Sequence, residues 1–118
     1  MDAAAALADL TEISSQIRSA ALFGEGGEVE ASTFADGERA QEFVRRAREL
    51  LDQASSVRDG GPALDQLEAA TADGSVFVVR GKGRLIAATT SPEPTVGLVF
   101  YDLKSCLRSL VAGAGGPA

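Results

Sequence analysis

Residues 73–88 alternate turn signals with apolar runs, and this succession limits the possible folds more than any other part of the chain. Asp73-Gly74 is a two-residue hairpin signal, because glycine accepts the positive φ that such turns demand. Val76-Phe77-Val78-Val79 follows as an unbroken β-favouring run, the pattern of a strand covered on both faces. Gly81-Lys82-Gly83 turns the chain again, and Leu85-Ile86-Ala87-Ala88 returns. Tight turns join strands at neighbouring ends. Residues 64–72 therefore read as the outer member of a three-strand antiparallel meander, although Leu64 and Leu67 by themselves also suit a helix.

Upstream, Ala3, Ala6, Leu7, Leu10 and Ile13 recur at helical spacing behind a capping Asp2. Ser14-Ser15 interrupts this helix, and the small apolar stretch from Ile17 to Phe23 suits a strand. Gly24-Glu25-Gly26-Gly27 is hairpin chemistry, and Glu28, Val29, Glu30, Ala31 and Ser32 alternate as a half-buried partner strand would. Asp36-Gly37-Glu38 opens the strongest helix, running to about Val57. Its apolar residues Ala40, Phe43, Val44, Ala47, Leu50, Leu51 and Ala54 fill an arc of about 120°, the width of a helix laid on a core. Glu42 with Arg46, and Arg48 with Asp52, stand four residues apart and can pair along its surface.

Asp59-Gly60-Gly61-Pro62 ends that helix and is too short to separate domains. Ser91-Pro92-Glu93-Pro94-Thr95 starts the last helix, whose expected buried face is Val96, Val99, Phe100, Leu103, Cys106, Leu107 and Leu110. Gly97 costs about 1 kcal/mol relative to alanine in a helix, which predicts close backbone packing there. The resulting class is α+β: a five-stranded antiparallel sheet sandwiched by helices, in the order α-β-β-α-β-β-β-α. Residues 1–112 form one domain, with a small, breaker-rich tail at 113–118 that is expected to fray.

Composition then narrows the function. The 118 residues include no histidine, which removes Ser-His-Asp and Cys-His chemistry and every zinc site that needs an imidazole. Cys106 is the only cysteine and falls on the apolar stripe of the last helix, where it serves as a small hydrophobe. A net charge of −6 argues against nucleic acid. The first residues lack a positively charged export signal, and no apolar run approaches the roughly 20 residues of a membrane span. A lone thiol with no export signal points to the cytoplasm. Neither glycine-rich turn matches the phosphate-loop pattern or lies between a strand and a helix. No catalytic residue, metal site or cofactor site is therefore expected. The remaining candidate is a protein surface.

Two stretches qualify. Residues 39–58 hold Arg39, Arg45, Arg46, Arg48 and Arg58 against Glu42, Glu49 and Asp52, a local charge of +2, whereas the rest of the chain sums to −8. This is either a solvated helix face with its own ion pairs or an arginine-rich interface for an acidic partner, with Arg39, Glu42, Arg45, Arg46, Arg48 and Glu49 as its candidate residues. The second stretch is Leu67-Glu68-Ala69-Ala70-Thr71, an outer strand with small, weakly charged side chains. Such an edge invites pairing with a second copy, unless Asp65 and Glu68 protect it. With aromatic residues at only 5%, the core is weak, and a dimer would enlarge it.

The order of elements resembles the Roadblock/dynein light chain family. The resemblance is carried by Ile17 through Ser32, by the long helix from Glu38, and by Ser91-Pro92-Glu93-Pro94-Thr95-Val96-Gly97-Leu98 followed by Leu103 and Leu107. Ser-Ser-Gln before Ile17, and Ser19 where glycine is common, depart from the family pattern. The resemblance implies no catalytic site. It implies a dimer, homodimeric or heterodimeric in the family and expected as a homodimer here, with the third strands side by side and the second helices together on one face. It also implies that this face docks a small Ras-like GTPase, as in bacterial regulators of the MglB type. A structural adaptor whose binding ignores the nucleotide is the alternative.

Overall fold

A computed structural model describes residues 2–57 and 65–114. The Asp2 carboxylate accepts a 2.8 Å hydrogen bond from the Ala5 amide and starts α1 (Ala3–Ile13). Strands β1 (Ile17–Gly24) and β2 (Val29–Ser32) follow as a hairpin. Helix α2 spans Gly37–Val57, with the Asp36 carboxylate accepting from the Glu38 amide at 2.9 Å. The meander is β3 (Gln66–Thr71), β4 (Gly74–Gly81) and β5 (Arg84–Thr90), and α3 covers Val96–Ala114. The α+β order and the five-stranded antiparallel sheet are those expected from the sequence. Arg58, the expected connector Asp59-Gly60-Gly61-Pro62, Leu64 and residues 115–118 of the expected tail lie outside the described residues.

The strand order is β2-β1-β5-β4-β3. The non-consecutive β1–β5 pair joins the hairpin to the meander, matching Ala20 with Ala88 and Ala21 with Ala87. Alanine there lets helices approach both faces of the sheet closely. On one face Leu22, Phe77, Val79 and Ile86 meet Leu7 and Leu10 of α1 and Val99, Leu103 and Leu110 of α3. On the other, Phe23, Val78, Leu85 and Ala87 meet Val44, Ala47 and Leu51 of α2. One face thus carries two helices and the other carries one.

Local details depart from the sequence reading in ways that sterics explain. The β3–β4 turn is centred on Ala72 and Asp73, one residue earlier than expected, and Gly74 opens β4. A β-carbon on Gly74 would overlap the Thr90 carbonyl oxygen of β5, so glycine here serves strand packing. At the next turn, Lys82 (φ 49°) and Gly83 (φ 84°) both adopt the left-handed conformation of a type I′ hairpin. In β2, Phe23 pairs with Val29 and Leu22 with Ala31, which leaves Glu30 as a bulge. Val29 consequently joins the α2 layer and Ala31 the α1–α3 layer, despite their even spacing. The two prolines precede α3 instead of entering its first turn. Gly97 is exposed and a β-carbon there would meet open space, so the close packing expected of it is absent. Val96 and Ile13, expected on buried faces, are exposed as well.

Candidate functional site

Helix α2 buries only a narrow stripe: Ala40, Val44, Ala47 and Leu51. Opposite that stripe, the Arg45 guanidinium donates through Nη2 to both Glu42 carboxylate oxygens at 2.7 Å and through Nη1 to Glu49 at 3.0 Å. Arg46 Nε donates to Glu42 Oε2 at 2.8 Å, forming the expected pair. Hydrogen bonds from Arg45 and then Arg46 hold the Glu42 carboxyl below its ordinary range, and Glu42 in turn raises Arg45. The pair expected between Arg48 and Asp52 does not form. The Arg48 guanidinium lies instead against Gly27 of the β1–β2 turn, where a β-carbon would strike it.

These contacts separate arginines that look alike in the sequence. Arg45 and Arg46 are engaged with glutamates of their own helix, and Arg48 packs on a turn. Exposed Arg39 differs: it lines a concavity of about 600 Å³ with Phe34, Phe43, Ser19 and Thr89, and with the acids Asp36, Glu38 and Glu42. The two phenylalanine rings stack at 5.2 Å between centroids, tilted by 53°. An arginine and an aromatic pair at an open hollow have the composition of an interface, although the acids there outnumber the arginine.

The hollow has a floor and a wall. Ser19, Thr89, Val76 and Ala69 face each other in register across β1, β5, β4 and β3, on the α2 side of the sheet. All four are only partly buried, whereas Ala21, Ala87 and Val78 in the neighbouring row are fully covered. Phe43, Leu50, Ala54 and Val57 recur on one flank of α2 by helical spacing. Phe43, Leu50 and Ala54 are half-buried, and Val57 is 82% exposed. A single helix leaves this flank and this row of the sheet uncovered.

The row ends at β3, an open edge of the sheet. Arg80 N donates to Asp65 O at 2.7 Å, and the antiparallel register continues from that pair through Leu67–Val78 and Ala69–Val76. The amides of Gln66, Glu68 and Ala70 therefore point away from β4, into the open edge. Leu67 belongs to the α2 layer, Ala69 shares its face, and Ala70 is exposed. Glu68 accepts weakly from Ser75 at 3.4 Å, and Thr71 is occupied by the turn through a 3.0 Å bond to Gly74 O. The opposite edge, β2, is shorter and bulged. Of the two edges, β3 is the one suited to pairing.

The candidate arginines and the β3 residues thus belong to one side of the molecule, but the residues linking them were not singled out in advance. Leu50, Ala54 and Val57, with Ser19, Val76 and Thr89 below, join the helix to the edge. Their signal was the apolar arc of α2, which is wider than the stripe it buries. Among the described residues no cluster of acidic, cysteine or histidine side chains could hold a metal ion, and no helix is long and apolar enough to cross a membrane.

No family model and no curated protein sequence matches the chain. Solved structures do. A Roadblock/LC7 domain from Streptomyces avermitilis superposes with a TM-score of 0.84 at 20% identity, covering 98% of this chain and all of that one. MglB in a tetrameric arrangement gives 0.77 at 15% identity, over 92% of this chain and 84% of that one. The gliding protein MglB of Thermus thermophilus gives 0.75 at 14% identity, with the same coverage of both chains. Element order, strand order and these superpositions agree: the chain has the Roadblock/LC7 fold.

Proposed function

We propose that this protein is a non-enzymatic, cytoplasmic homodimer that binds a small Ras-like GTPase and modulates its cycle or placement. The observation that carries the reading is the continuity of the open β3 edge with the uncovered trough beside α2. A second copy paired antiparallel along Leu67–Thr71 extends the sheet and brings a second α2 over the trough, where Leu50, Ala54 and Val57 can be buried. The paired helices then form a symmetric platform, with the charged face of Arg39, Glu42, Arg45, Arg46, Arg48 and Glu49 turned outward. Similarity to MglB supports this reading. On that outward face Arg39, Arg45, Arg46 and Arg48 together set the field that meets an acidic partner surface.

A nucleotide-independent adaptor is the second reading. It is favoured by the engagement of Arg45 and Arg46 with their own glutamates, which leaves less free charge for a switch-sensitive contact. Titration with a Ras-like GTPase from the same organism, loaded with GDP or with a non-hydrolysable GTP analogue, separates the two. The GTPase reading expects binding that differs at least about tenfold between nucleotide states and weakens about tenfold or more in Arg39→Glu. Equal binding in both states establishes the adaptor, and no binding in either removes the GTPase from the proposal.

A further inference from the structure

The sheet face opposite α2 carries a different surface. Helices α1 and α3 lie side by side there, with Cys106 Sγ 3.6 Å from the Ala6 carbonyl oxygen. A groove of about 270 Å³ runs between them, and Leu10, Ile13, Tyr101 and Cys106 contribute to its lining. Ile13 is 67% exposed, Tyr101 63% and Leu98 49%. With Val96, these make four of the five large exposed hydrophobic residues among those described; Ile13 and Tyr101 line the groove, and Leu98 stands one turn before Tyr101 on α3. Water covers an apolar patch that two helices already frame.

Charge gives the patch a polarity. Residues 2–13 carry Asp2, Asp9 and Glu12 and no basic side chain. Each helix also supplies one acid to the groove itself, Asp9 from α1 and Asp102 from α3. Lys104 and Arg108 of α3 line a separate concavity against Asp65, Gln66 and Arg80, and Arg108 Nη2 also donates to Ser105 Oγ of the groove wall at 3.0 Å. At the end where Ile13 and Tyr101 lie, beside Asp9 and Asp102 and away from Arg108, the groove is complementary to one kind of segment: an amphipathic helix whose apolar stripe is bordered by lysine or arginine.

We propose that the α1–α3 groove docks a basic amphipathic helix from a partner protein. Ile13, Leu98 and Tyr101 receive its apolar side chains, and Asp9 and Asp102 pair with its flanking cations. A second copy of this chain is the weaker occupant, because the buried stripe of arginine-rich α2 is committed to its own sheet and only the flank of Leu50, Ala54 and Val57 is left free. An anionic lipid surface is repelled by the same two acids. The groove lies on the face opposite α2, so its occupancy does not depend on the GTPase reading.

Tyr101 is the only tyrosine and the chain has no tryptophan, so its emission reports on the groove directly. The full chain is titrated with a synthetic leucine–lysine amphipathic helix lacking aromatic residues, and with its leucine–glutamate counterpart. The lysine peptide is expected to change Tyr101 emission saturably, with affinity reduced about tenfold or more in Asp9→Lys/Asp102→Lys and also reduced in Ile13→Ser. Asp9→Asn/Asp102→Asn provides a milder pair if the charge reversal unfolds the chain, as judged by far-ultraviolet circular dichroism. No saturable change, an equal response to the glutamate peptide, or unaltered affinity in the variants overturns the proposal. So does a change in Tyr101 emission on concentrating the protein alone, which assigns the groove to a second copy, or an equal response to phosphatidylserine vesicles, which assigns it to a membrane.

Discussion

At Gly74 one hydrogen atom decides whether two strands can lie together. Its φ of 152° falls at the edge of the range that L side chains rarely adopt, and a β-carbon would meet the Thr90 backbone oxygen, which cannot rotate away. Gly74→Ala is therefore expected to cost about 2–3 kcal/mol in urea unfolding, whereas Gly97→Ala, whose β-carbon enters open space on a helix, should gain up to about 1 kcal/mol. Cys106 is a different kind of constraint. Burial, and then the charge of Asp9, push its thiol from 9.0 up to about 11. Between those values the unfolded chain has lost a proton that the folded chain keeps, so stability falls as pH rises from about 9 to about 11. Over that interval the wild type should lose roughly 1–2 kcal/mol more than Cys106→Ala in parallel unfolding curves. Superimposable pH dependences for the two proteins would contradict a desolvated thiol.

The strands and helices themselves were legible because each carries a period the backbone imposes. Two-residue turns on either side of Val76–Val79 specify a meander, and the apolar stripe of α2 specifies a helix on a sheet. What could not be read was how much of that stripe the chain buries. Periodicity locates Leu50 and Ala54 on the apolar arc, but whether a neighbour covers them depends on the sheet's width and the crossing of α2, which are tertiary facts. The arginines show the same limit. Spacing allowed both Glu42–Arg46 and Arg48–Asp52, and only the first forms, because the β1–β2 turn with its bare Gly27 lies within reach of Arg48. The β3 edge was legible as an edge, whereas the alternation of its amides needed the register. That alternation yields a paired test. Ala70→Pro removes an N–H that points outward and should convert a dimer to a monomer in sedimentation velocity while leaving a folded chain. Ala69→Pro removes an N–H bonded toward β4 and should lower stability itself, by about 3 kcal/mol or more.

For the whole molecule, the unequal covering of the two sheet faces makes stability and assembly one question. Two helices close the Leu22–Phe77–Ile86 face, but α2 alone leaves a row of the opposite face and its own flank in contact with water. A chain of 118 residues with few aromatics has little surplus core, so covering the trough is worth more here than it would be in a larger domain. If a second α2 supplies that cover, the folded monomer is the less stable species and mass action must appear in the unfolding transition. The melting temperature of the wild type should rise with protein concentration across the micromolar range. Leu50→Asp, at a half-buried position on the trough wall, should lower it and remove the concentration dependence together, because it places a charge in the helix–helix contact without touching the buried stripe of Ala40, Val44, Ala47 and Leu51. A melting temperature independent of concentration in the wild type, with a monomer mass by light scattering at the highest concentration, would leave the trough open. The platform proposed for the GTPase would then lack its second half.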